Sequence, residues 1–231
     1  MFGIMIALPM ETRRIVAHRM RVGDTYPLSE KAILIVTGMG EAALPVIKHH
    51  AESGQFSTLI SLGTAVGLSP LLSSGMVCIP DEVMFDAQTI RCHQGLQADF
   101  VSALKEDCWI VQKRLIHTDR ILTSLEEKEN LYQRTHALVA DMESFLIGQE
   151  AFRHQLNFLA IRVVVDCMHL HMPQSLLDCC MPNVSVPQLL WTLGKQPHLF
   201  NTLIKFTKHF NRARKTIGNV AQLKLLQSNP Q

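Results

Sequence analysis

Strong charge of either sign is missing from this 231-residue chain: Lys and Arg number 22 and Asp and Glu 20, for a formal net charge of +2. Neither half is strongly acidic or basic, which argues against non-specific nucleic-acid binding, a task for a concentrated basic patch. A cysteine framework is missing too. Cys78, Cys92, Cys108, Cys167, Cys179 and Cys180 are scattered without a CxxC pair, and adjacent Cys179 and Cys180 are poor partners for each other. That pattern reads as reduced thiols in a cytoplasmic protein, with nothing to mark one as reactive. The apolar opening MFGIMIALPMETRR puts its charges after the apolar run, the reverse of a secretory leader. No run approaches the ~20 uninterrupted apolar residues of a membrane-spanning helix. With no internal repeat, low-complexity tract or linker, one domain over residues 1–231 is expected.

What the chain does have is apolar residues, 47% of the total, in short continuous runs. Phe2–Leu8, 32–37 (AILIVT) and 58–62 (TLISL) read as strands, the last running into a loop GTAVGL. A helical segment is expected after the first, carrying Met10, Ile15, Val16 and Met20, and another over 41–52 after the second. Further strands are expected at 76–79, 83–89, 109–116, 136–140 and 158–165 (FLAIRVVV), and helices at 97–107, 124–134 and 142–154. Continuous rather than alternating apolar runs, interleaved with helices, imply a parallel sheet covered on both faces. Ligands of such sheets collect at the carboxyl ends of strands, where Glu11, the turn at Gly63, Asp119 and Asp166 fall.

Three segments carry candidate chemistry, and each also has an ordinary reading. SLGTAVGL (61–68) is a strand end turning on small residues; Gly63 and Gly67 allow close backbone approach to a ligand, or simply connect elements. In VADMESFLIGQEA (139–151), Asp141 and Glu143 open a helix, where carboxylates commonly serve the macrodipole. Asp166, closing AIRVVVD, has the position of a helix cap or turn former.

Taken in order, ALPME (7–11), SLGTAVGL (61–68), DMES (141–144) and RVVVD (162–166) resemble the nucleoside phosphorylase and nucleosidase superfamily, including the 23-residue step from Glu143 to Asp166. The resemblance covers nearly the whole chain. Within the superfamily, ALPME, HTDRILTS (117–124), DMES and the Pro-containing segment after RVVVD are most similar to the adenosylhopane nucleosidases of bacterial hopanoid biosynthesis. The resemblance implies a three-layer α/β/α fold with a central mixed, mostly parallel sheet. It also implies a carboxylate at Glu11 that holds and deprotonates water, and one at Glu143 that grips ribose hydroxyls. Met142 would pack on the sugar, Thr64 and Ala65 would line the site by their backbone, and Ile121 and Leu122 would flank the base. Asp166 would protonate N7 of the departing purine, for which its apolar strand would raise its pKa by desolvation. Cleaving the C–N bond builds positive charge on ribose and negative charge on purine, so an acid for the base and an activated water for the sugar are the groups required. A homodimer is implied, and no metal or organic cofactor.

Water is favoured over phosphate as nucleophile. Hexameric phosphorylases of the superfamily carry an arginine just before the glycine-containing loop, where this chain has Ser61, and Glu11 would repel phosphate. Arg13 and Arg14 keep phosphorolysis open. Val66 departs from the family's G-[ST]-A-G-G loop, and a β-branched residue adopts positive φ with difficulty. The region between Asp86 and Asp99 is shorter than in methylthioadenosine nucleosidases, which suits a bulky 5′ substituent. His169 and His171 form an HxH pair with no convincing third metal ligand. Finally, a helical tail, about 197–226, sets Lys205, Lys208, Arg212, Arg214 and Lys215 among Phe200, Leu203, Ile204, Phe206 and Phe210. It reads as a terminal helix with a solvated basic face, or as a peripheral membrane contact.

Overall fold

The computed structural model describes residues 1–166, 175, 186–196, 198–223 and 226. Among them eleven strands form one continuous mixed sheet. The chain begins with β1 (Phe2–Ile6), β2 (Thr25–Ser29) and β3 (Ala32–Val36), continues through helix α1 (Leu44–Glu52), and reaches the long β4 (Thr58–Gly67). After β5 (Val77–Cys78), β6 (Glu82–Phe85), β7 (Gln88–Arg91) and α2 (Gln94–Leu104) come β8 (Ile110–Val111), β9 (Arg114–His117) and α3 (Leu125–Thr135). Then follow β10 (Val139–Asp141), α4 (Ser144–Arg153), β11 (Asn157–Asp166), α5 (Val186–Lys195) and α6 (Leu199–Ala221).

Strands β4 and β11 form the centre. They run parallel over their whole length, from Thr58 beside Asn157 to Val66 beside Asp166. The other edge of β4 is shared: β1 pairs with its first residues in parallel, and β10 with Val66 and Gly67 in antiparallel. Both central strands are almost wholly buried, which is why they read as unbroken apolar runs. Helices α1 and α4 pack together, and Phe158 of β11 sits so close to Gly148 of α4 that a methyl there would lie 2.9 Å from its ring. Helix α6 packs on β11, β4 and the turn after β1. The expected three-layer α/β/α arrangement with a mixed, mostly parallel sheet is present.

Local expectations differ at five places. The segment 61–68 is no loop: β4 continues through it to Gly67, because β11 pairs along it as far as Val66 and β10 takes its other edge at Val66 and Gly67. Residues 83–89 form a hairpin, β6 and β7, that turns at Asp86 (φ 51°), a residue whose short polar side chain tolerates the left-handed region. After β1 there is only a 3-10 turn, Glu11–Arg14, rather than an amphipathic helix. Edge strand β2 lacks the apolar run expected of a strand, as an antiparallel edge containing Pro27 can. Residues 109–116 hold two short strands rather than one, β8 on β5 and β9 between β10 and β6.

Candidate active site

Where β1, β10 and β11 end beside the second half of β4, a cavity of about 130 Å³ opens. The 3-10 turn after β1 folds Glu11 back into it. Glu11 is 1% exposed, and its carboxylate is held by three donors: the Thr64 N–H at 2.8 Å and Thr64 hydroxyl at 2.7 Å on Oε1, and the Leu8 N–H at 3.1 Å on Oε2. A carboxylate offers roughly four acceptor directions, so this one is fixed in place with capacity for one more donor.

Facing it is a buried ion network. Arg162 points from the middle of β11 and is 1% exposed. Its Nε lies 2.6 Å from Asp141 Oδ2 and donates to Ser144 Oγ at 3.0 Å, while Nη2 donates to Ser61 Oγ at 2.5 Å and lies 4.0 Å from Glu143 Oε2. Asp141 also accepts from the backbone N–H and the hydroxyl of Ser144, capping α4 as expected of an acid at a helix start. Glu143 does something else. Its carboxylate reaches back to accept the Gly40 N–H at 2.9 Å and makes no bond to its own helix.

The network explains Gly63, whose backbone is ordinary extended strand. A Cβ at Gly63 would lie 2.5 Å from Arg162 Nη1, and 3.4 and 3.5 Å from the two oxygens of Glu11. Glycine is therefore required by the close approach of a guanidinium and a carboxylate, rather than by a turn. Val66 carries no positive φ; it lies in β4 between Ala140 and Asp166, so its β-branch fits the strand.

Of the residues singled out in the sequence, Glu11, Thr64, Ala65, Ile121, Leu122, Met142 and Glu143 all line this cavity. Asp166 is the last residue of β11, paired with Val66 beside the cavity; its side chain lies outside the described residues, as do His169, His171, Cys167, Cys179 and Cys180. Arg13 and Arg14 are exposed and do not line the cavity. Asp119 is largely exposed and points to His117, which is buried against Phe85 and Phe145 and whose pKa is lowered by that burial. Neither lines the cavity. Sequence reasoning missed Arg162 as a site residue, and missed Phe206 and Phe210 of α6 as cavity wall. The available signal for Arg162 was a lone charge inside the most apolar strand of the chain.

Burial pushes the Glu143 carboxyl up to about 7, with Asp141 and Glu11 adding to the rise and Arg162 and the Gly40 N–H opposing it. A raised folded-state pKa means the folded protein holds this proton more tightly than the unfolded chain. The contribution is complete below the ordinary carboxyl range and is lost as pH rises through about 7. Glu143→Gln, which keeps an acceptor for Gly40 but cannot ionise, is expected to be more stable than wild type at pH 8, by on the order of 1–3 kcal/mol. The advantage should vanish near pH 4.5. Thermal melts across that range test it; parallel pH profiles for the two proteins would refute the assignment.

The profile of the Phosphorylase superfamily matches residues 9–175. A 5′-methylthioadenosine/S-adenosylhomocysteine nucleosidase of Thermotoga maritima is 27% identical over 135 residues, which is 56% of this chain and 62%, under two thirds, of that relative's length. Among solved structures, the nucleosidase of the same description from Neisseria meningitidis, bound to methylthio-immucillin-A, superposes with a TM-score of 0.70 at 15% identity, covering 95% of both chains. Its counterpart from S. pneumoniae gives 0.68 at 18% identity over 97% of this chain and 96% of its own. Futalosine hydrolase of Helicobacter pylori gives 0.69 at 12% identity over 95% and 94%.

Proposed function

The chain belongs to the phosphorylase superfamily, and from that membership and the cavity we propose that it is a purine nucleosidase hydrolysing the N-glycosidic bond of a 5′-substituted adenosine. The observation that carries this reading is Glu11: a buried carboxylate clamped by three donors, with one acceptor direction to spare, in the wall of a small cavity. There it takes a proton from water as the water attacks the anomeric carbon. Glu143 accepts from the ribose hydroxyls, Met142 packs on the sugar, and Thr64 and Ala65 line the same side. Ile121 and Leu122 flank the base. Asp166 donates a proton to N7 as the purine leaves.

Water is the nucleophile that the electrostatics favour. The one cation buried in this network, Arg162, is already committed to Asp141 and faces Glu143 as well, and Glu11 stands across Gly63 from it. A phosphate dianion would meet the three carboxyl groups of Glu11, Asp141 and Glu143, against Arg162, already committed, and Arg120, paired with Glu127. The arginine also fills the space beside Ser61, the position where an additional phosphate-binding arginine would enter.

The cavity's apolar side narrows the substrate. Val66, Val165, Phe206 and Phe210 line it together with Met39, which suits a hydrocarbon 5′ substituent better than a zwitterionic one. The reading we favour is adenosylhopane, split to adenine and ribosylhopane. Relatives whose described substrates are methylthioadenosine and adenosylhomocysteine support adenine as the base. The test is adenine release from adenosines bearing 5′-methylthio, 5′-homocysteinyl and long hydrocarbon substituents, each with and without phosphate. A free-sugar product, a rate indifferent to phosphate, and preference for the hydrocarbon are expected. A sugar 1-phosphate product would overturn hydrolysis, and preference for the homocysteinyl compound would overturn the hydrocarbon assignment.

A further inference from the structure

Charge is unevenly divided along the chain. Residues 179–231 hold seven Lys and Arg and no Asp or Glu, whereas residues 1–178 hold fifteen Lys and Arg against twenty Asp and Glu. Much of the excess falls on α6. The inner side of that helix is committed: Phe210, Ala213, Ile217 and Val220 are buried, and Phe206 and Phe210 reach the cavity. The outer side is not. Phe200, Ile204, Lys208, Asn211 and Lys215 follow one another at steps of four, four, three and four, so they form one stripe, and all five are exposed.

That stripe begins apolar and ends basic. Phe200 is 55% exposed and Ile204 39%, although the helix has already buried its inner face. On the preceding α5, Leu189 and Leu193 pack inward against Leu199, while Trp191 stands 66% exposed with Lys195 Nζ 4.4 Å from its ring centroid. An aromatic ring with an ammonium above it suits the boundary between headgroups and acyl chains, where the ring meets hydrocarbon and the charge meets phosphate. Among the described residues no helix is long and apolar enough to cross a membrane.

We propose that the outward face of α5 and α6 docks onto an anionic lipid surface. Trp191, Phe200 and Ile204 enter the boundary layer, and Lys205, Lys208 and Lys215 sit over lipid phosphates. The helix then has two working sides: its outer stripe holds the leaflet while Phe206 and Phe210 hold the cavity wall. A nucleoside carrying a membrane-soluble 5′ substituent would thus be taken up beside the bilayer. That last step rests on the proposed function; lipid binding does not.

Flotation of the full chain with vesicles tests it without substrate. The protein should float with phosphatidylcholine vesicles containing about 30% phosphatidylserine at low ionic strength, stay behind with pure phosphatidylcholine, and be released by ~0.5 M salt. Replacing Lys205, Lys208 and Lys215 together by alanine should weaken partitioning about a hundredfold. Replacing Trp191, Phe200 and Ile204 together by alanine should also release the protein. Both variants should retain the wild-type circular dichroism spectrum and thermal midpoint. Equal recovery on neutral and anionic vesicles, no flotation, or wild-type flotation of the lysine variant would overturn the proposal. So would sedimentation showing that the apolar variant breaks an oligomer, because a second copy would then cover this face. A failed nucleosidase assay leaves the flotation result standing, which separates the two proposals.

Discussion

Glu11→Gln is expected to lower turnover by roughly two to four orders of magnitude while the protein remains folded and still binds substrate. The amide is isosteric with the carboxylate and can still accept the Thr64 N–H and hydroxyl through its oxygen. Its nitrogen then faces the Leu8 N–H, donor against donor, where Glu11 Oε2 now accepts at 3.1 Å. That mismatch costs some stability, and the thermal midpoint should fall by only a few degrees. Turnover falls much further, because an amide has no basicity to lend an attacking water. The discriminating measurement is the division of the loss: kcat collapses while equilibrium binding of a non-hydrolysable analogue changes by less than about tenfold. Turnover within tenfold of wild type would remove Glu11 as the base, and with it the observation on which the functional reading stands.

The order of strands and helices was largely readable because β1, β3, β4 and β11 are buried on both faces and therefore appear as unbroken apolar runs. The errors fall where tertiary contacts override local signals. Gly63 looked like a turn glycine, since sequence reports the absence of a side chain but not the guanidinium that requires it. Val66 looked like a departure from a flexible loop, yet it is a strand residue with partners on both edges. The hairpin at Asp86 was hidden because both its strands are short and the left-handed residue is not glycine. In the cavity, the side chains that line it from strand ends and helix starts were legible by their position. Phe206 and Phe210 were not, because an aromatic at helical spacing in a terminal helix is indistinguishable from core until the helix is docked.

Arg162 is the largest omission and the site of the largest expected loss of stability. It extends from a strand whose neighbours are Ile161, Val163 and Val164, all fully buried, so the alternation of the strand places its guanidinium inside the protein. A charge there is tolerated because Asp141, Ser144 and Ser61 accept its N–H groups and Glu143 lies within 4.0 Å. Arg162→Met fills much of the volume but leaves Asp141 and Glu143 without a cation. Breaking one side of such a buried pair costs about 3–5 kcal/mol, which for a chain of this size lowers the thermal midpoint by about 10 °C.

The pH dependence identifies the cause. The guanidinium holds the Glu143 carboxyl down against burial; without it, burial and Asp141 raise that carboxyl further. A group with a raised folded-state pKa gives up stability as pH rises, so the deficit of the variant should be greatest at pH 8 and shrink toward pH 5. A loss caused by poor packing alone would be the same at both. Arg162→Lys should recover only part of the stability. One ammonium cannot span from Asp141 to Ser61 and Glu143 as a planar guanidinium does. Urea midpoints for both variants at the two pH values, set beside turnover, decide the matter. A Met variant as stable as wild type at pH 8 would mean that the three carboxyl groups of the cavity are held apart by something other than this arginine.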